Sequence, residues 1–172
     1  MVNKKSQIEK PKRGMDIVML GSSIGLCLIV GFLAIFFSNA NLNAWYPTLV
    51  KPSFAPPTWL FGIAWIILYV LLGCSVYLIR REDLGMRKAN TAFLLLGALL
   101  LLSFLWNVLF FSLRSPLAGF IVIVLLWLAI GAAYLVFYRL NRWVSWLLIP
   151  MWLWVTYLGF LSYWLYVLNP SA

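Results

Sequence analysis

The side chains of this chain best suited to chemistry are its indoles and phenols: ten tryptophans and eight tyrosines occur in 172 residues. Each ring offers a flat apolar face for stacking and one hydrogen-bond donor at its rim. Their spacing groups them. Phe61, Trp65 and Tyr69 recur at helical-turn intervals and share one face, and Trp154, Tyr157, Leu158 and Leu161 share another. A phenol or indole donor at membrane depth needs a partner, so these rings belong against other helices or a cavity rather than against lipid. Two readings follow: the rings fill the bundle core, or they form a flat-walled pocket for a planar apolar ligand. Ser103, Asn107, Thr156 and Ser162 are the polar groups that either orient such a ligand or bond between helices. Trp45, Tyr46, Trp59, Trp143, Trp146, Trp164 and Tyr166 lie near span ends, as interfacial belts do.

Other chemistries lack their groups. There is no histidine, which removes imidazole acid–base catalysis, the common proximal haem ligand and the commonest metal ligand. Cys27 and Cys74 both fall inside apolar runs, where a thiol behaves as a small hydrophobe, so neither a metal site nor a disulfide framework is expected. The four acids, Glu9, Asp16, Glu82 and Asp83, sit at the ends of apolar runs. No carboxylate is therefore placed to relay protons or hold a cation at membrane depth.

The elements that must position the rings follow from composition. With 65% apolar and 10% charged residues, the chain departs far from the roughly 45–50% and about 25% of soluble domains. We expect an all-α integral membrane protein with a basic N-terminal segment, 1–16, and one transmembrane domain, 17–168, of five helices at about 17–37, 59–79, 89–111, 117–138 and 144–168. The 21 apolar residues of the first run exceed the about 7–15 of a signal-peptide core, so a retained helix is expected. Gly21 and Gly25 give it a GxxxG that permits close helix approach. Between the first two helices, Pro47, Pro52, Pro56 and Pro57 forbid regular helix through most of residues 38–58. Pro150 interrupts the hydrogen bonding of the fifth helix.

Thirteen basic residues against four acids give a net charge of +9. In a membrane chain this charge is explained by orientation and by attraction to anionic lipid, and nucleic acid is not an expected partner. The N-terminus and the loops at 80–88 and 139–143 carry five, four and two basic residues, whereas the other side carries only Lys51 and Arg114. The N-terminus is thus expected in the cytoplasm and the Pro-rich loop and C-terminus outside. No internal repeat is visible, and an odd helix count argues against paired transporter halves.

From Trp45 to Gly73 the chain reads WYPTLVKPSFAPPTWLFGIAWIILYVLLG. With its W-Y, K-P-S, P-P-x-W and W-x-x-x-Y elements in order, this closely resembles the signature of the translocator protein family, also called tryptophan-rich sensory proteins or peripheral benzodiazepine receptors. Trp106 with Phe110 and Phe111, and Pro150 followed by Trp154, also agree, so the resemblance covers about residues 15–168. It implies a five-helix bundle, often dimeric, in which the first loop caps a cavity. Tyr46, Pro56, Phe61, Trp65, Tyr69, Trp106, Trp154 and Leu158 would be the ligand-binding residues. The implied ligands are porphyrins or haem-pathway intermediates, sterols, and synthetic isoquinoline or benzodiazepine-type compounds, with no cofactor required.

The function implied is a bacterial plasma-membrane binding protein for planar hydrophobic ligands, acting as sensor, carrier or scavenger. The alternatives are a light-dependent porphyrin-degrading enzyme that would use Trp65 and Trp154, and a secondary transporter or structural bundle. Ser103, Leu161-Ser162, Ile149-Pro150-Met151 and Tyr157-Leu158 depart from the family's usual asparagines, Y-P-Y and F-A, which makes the expected lining more apolar. No Lys or Arg follows Tyr163 or Tyr166, so the sterol motif at the end of helix five is absent, and the pattern Leu135, Tyr138, Arg142 is a weak substitute.

Overall fold

In hydrocarbon every backbone N–H and C=O must be paired within the chain, so uninterrupted apolar runs of this length become helices. The computed structural model describes residues 13–170, with side chains from Asp16 onward. Lys4, Lys5, Lys10 and Lys12, which supply much of the charge asymmetry, lie outside the described residues. Five helices follow in order: α1 Arg13–Ala44, α2 Thr58–Arg81, α3 Met86–Asn107, α4 Pro116–Leu140 and α5 Arg142–Leu168. All five are long and apolar enough to cross a membrane, and no strand occurs among the described residues. Neighbouring helices close a ring in the order α1, α2, α5, α4, α3 and back to α1, with α2 also touching α3. Inward-facing rings of α2, α3 and α5 therefore meet inside.

α1 is longer than the span expected at 17–37, and it takes in the first seven residues of the expected loop. The prolines begin only at Pro47, so nothing in residues 38–44 stops the helix. Its polar end is tied down instead. Ser38 Oγ donates to the carbonyls of Ala34 and Asn107 at 2.7 and 3.2 Å, and Ser112 Oγ donates to the Phe37 carbonyl at 2.8 Å. The loop proper is then short: a single 3-10 turn at Tyr46–Thr48, followed by extended chain to Pro57, which precedes the first turn of α2.

Among the described residues of the chain, no other helix approaches the Gly21–Gly25 pair. A methyl group on Gly21 or Gly25 would meet nothing within 4 Å, whereas one on Gly73 would lie 2.5 Å from the Ile24 Cα. The α1–α2 contact thus requires glycine at Gly73 on α2, against the Ile24 backbone, and at Gly31 on α1, against the Tyr69 ring, rather than at the GxxxG pair. The remaining connections carry ordinary caps: Ser115 Oγ accepts from Ala118 N at the start of α4, and Asn141 Oδ1 accepts from Trp143 N at the start of α5.

Candidate ligand chamber

The inward faces of α2, α3 and α5 bring the predicted rings into one chain of contacts. Trp65 lies with its ring centre 5.7 Å from that of Tyr69 and 5.7 Å from that of Trp106. Phe111 links Trp106 to Phe61 by edge-to-face contacts, each at 5.7 Å, and Phe61 reaches Trp154 at 6.3 Å. Tyr46 descends from the 3-10 turn onto Phe61 and Phe111 at 5.5 and 5.9 Å. All but Trp154, which is half-buried, are closed off from the surroundings. Pro56 is buried in the loop and Leu158 is buried in the core. Six of the eight predicted residues thus form one aromatic network roofed by the loop.

Phe110 and Phe111 were not singled out as site residues, yet Phe111 is the hub of the network. Adjacent residues on a regular helix diverge by about 100°. Here the backbone widens into a π turn at Val108–Ser112, and both rings are buried, in keeping with the frequency of such turns at functional sites. The doublet after Trp106 was the available signal. Gly31 completes the wall: a Cβ there would lie 2.5 Å from the Tyr69 ring, so only glycine lets α1 close over it.

The polar rims of these rings are largely unused. Tyr69 Oη is paired with Ser103 Oγ at 3.3 Å. In contrast, Tyr46 Oη and the indole nitrogens of Trp65, Trp106 and Trp154 are buried without a hydrogen-bond partner among the described residues. A buried donor left unpaired costs about 1–3 kcal/mol. Four such donors belong to rings of one network, and none meets an acceptor among the described residues. Ser103 thus bonds between helices, as Thr156 does by accepting from Trp127 Nε1 at 2.9 Å on the α4–α5 side. Asn107 Nδ2 is spent on the Ser103 carbonyl of its own helix, and Ser162 Oγ has no partner among the described residues.

The open hollow expected under the loop is not there in this state. Between Phe61, Trp65, Phe111, Ser38 and Asn107 a void of only about 40 Å³ remains, against the roughly 300–1,000 Å³ of a small-molecule site. Edge-to-face packing lets the rings fill the volume themselves.

The loop is held down from above. Tyr157 Oη donates to the Phe54 carbonyl at 2.9 Å. Asn169 pairs with Val50 in both directions, accepting from its N–H and donating to its carbonyl at 2.9 Å each. Lys51 Nζ donates to the carbonyls of Tyr46, Pro47 and Leu49 at 2.8–3.1 Å, so its charge is spent holding the 3-10 turn. Neither Lys51 nor Asn169 was expected in such roles, because both act on backbone brought near only by the turn and the end of α5.

Residues 23–168 match the model of the TspO/MBR family. The chain is 38% identical over 155 residues to the tryptophan-rich protein TspO of Chlorobaculum tepidum, covering 90% of this chain and 98% of that one. It is 37% identical to the protein of the same name from Archaeoglobus fulgidus, with 90% and 99% covered. To protein CrtK of Rhodobacter capsulatus it is 32% identical, with 91% and 96% covered. The match runs through all five helices and the loop that roofs them, and the chain belongs to the TspO/MBR family of integral membrane proteins.

Proposed function

We propose that the protein binds a flat, mainly apolar ligand of the tetrapyrrole class, a porphyrin or haem-pathway intermediate, among the rings beneath the first loop, and acts as a sensor, carrier or scavenger. The observation that carries this reading is the presence of four unpaired ring donors, on Tyr46, Trp65, Trp106 and Trp154, within one network of contacting rings. A tetrapyrrole brings what they lack, a wide π face together with ring nitrogens and carboxylates that accept hydrogen bonds. Admission requires the rings to part. The loop is the element to move, since it is tied by a few hydrogen bonds while α2, α3 and α5 are held along their length. This reading puts the loop on the outer side of the membrane and the N-terminus in the cytoplasm, which the charge asymmetry supports.

The test is a titration of the purified protein in lipid nanodiscs with protoporphyrin IX, followed by quenching of tryptophan fluorescence. Saturable quenching is expected, with affinity weakened by about 1–3 kcal/mol in Trp65→Ala. Non-saturable quenching, or unchanged affinity in a folded variant, overturns the reading. The contiguous indoles Trp65 and Trp106 also favour a second reading, light-driven oxidation of the bound pigment by dissolved dioxygen. In it an indole gives an electron to the excited porphyrin, the reduced pigment passes it to dioxygen, and the neighbouring indole shares the hole left behind. Illuminating the complex beside Trp65→Phe, Trp154→Phe and protein-free micelles decides that point: equal pigment loss in all samples eliminates it.

A further inference from the structure

We propose that the cleft between the start of α3 and the end of α4 binds the phosphate headgroup of an anionic phospholipid. The cleft measures about 510 Å³ and is lined by Lys88 and Arg139 together with Leu135, Val136 and Leu140. Asn141 Nδ2 donates to Glu82 Oε1 at 2.6 Å, so the α2–α3 and α4–α5 connections lie at the same end of the bundle. That end is where two apolar spans leave the hydrocarbon, at headgroup level.

Neither cation has a carboxylate partner among the described residues. Among the described residues the one ion pair joins Arg81 to Asp16 at 3.6 Å, and Glu82 is engaged by Asn141. Lys88 also stands in the first turn of α3, which contains no acid. A positive charge at that end of a helix is unfavourable unless an anion meets it. A phosphate between Lys88 and Arg139 supplies the anion, and its acyl chains cover Leu135, which is 67% exposed, and the aliphatic floor beside it. That floor is what selects a lipid over a free anion. Arg142, close by, is occupied differently, lying over the Tyr138 ring at 5.1 Å.

The experiment is native mass spectrometry of the detergent-solubilised protein offered phosphatidylglycerol and phosphatidylcholine together. Wild type is expected to retain one phosphatidylglycerol in preference, and Lys88→Gln/Arg139→Gln to lose about 10- to 30-fold in retention. The charge-matched pair Arg87→Gln/Arg142→Gln is expected to retain it, and millimolar inorganic phosphate to leave it bound. Arg139→Lys, which keeps the charge, stays within a few-fold of wild type, and a phosphatidylglycerol-dependent rise in melting temperature accompanies retention in each. Equal loss in both double variants, unchanged retention in the cleft variant, or displacement by inorganic phosphate overturns the proposal.

Discussion

Trp65 and Trp127 are both indoles on membrane-spanning helices, and they end up in opposite chemical situations. Trp65 is 2% exposed, packed between Tyr69 and Trp106, with its N–H unpaired. Trp127 is 39% exposed, and its N–H is satisfied by Thr156. It heads a second run of rings along the α4–α5 seam: Trp152 at 5.5 Å, then Tyr134 at 5.8 Å from Trp152, then Tyr138 at 6.1 Å from Tyr134. In this outer run only Trp152 leaves its nitrogen buried and unpaired. The outer face also has the larger hollow, about 400 Å³, yet its lining faces outward, and its Trp127 and Thr156 are already paired with each other. What separates a candidate site from membrane packing here is therefore not volume but where unspent donors gather behind a removable roof.

The sharpest way to break this comparison is to truncate one ring on each side. Trp65→Ala is expected to weaken protoporphyrin binding by about 1–3 kcal/mol, while Trp127→Ala leaves the affinity unchanged in the same fluorescence titration. Equal losses would erase the distinction between the two aromatic runs. A smaller effect is expected at the roof. Asn169→Ala removes both bonds to Val50, each worth about 0.5–1.5 kcal/mol, and stopped-flow quenching should show faster association with little loss of thermal stability. The smallest belongs to the outer run. Thr156→Val leaves the Trp127 N–H without its acceptor and should lower thermal stability by about 0.6 kcal/mol without touching ligand affinity.

Much of this arrangement was readable before any coordinates, and for a physical reason. Lipid forces long apolar runs into helices, and one-turn spacing then decides that Phe61, Trp65 and Tyr69 look the same way. What escaped depends on contacts distant in sequence. α1 runs past the polarity of Ser38, Asn39 and Asn41 because α3 and the turn after it offer carbonyls to Ser38 and Asn41. Gly21 and Gly25 match a motif for close approach, but which glycines meet a neighbouring helix of the chain is settled by helix rotation, and between α1 and α2 they are Gly31 and Gly73. The π turn that swings Phe110 and Phe111 inward leaves no periodicity to detect. The near absence of a void could not be inferred either, since the same rings suit a filled core and an opened one.

The central claim is that the inner indoles, and not the outer ones, are the ligand-contacting set. The most direct test is nitrogen-15 labelling of the tryptophans and observation of their indole N–H resonances as protoporphyrin IX is added. Assignment would come from single Trp→Phe variants. We expect saturable ring-current shifts at Trp65, Trp106 and Trp154, with Trp127 unmoved. Shifts confined to Trp127 and Trp152, or no saturable shift at any indole, would contradict the account.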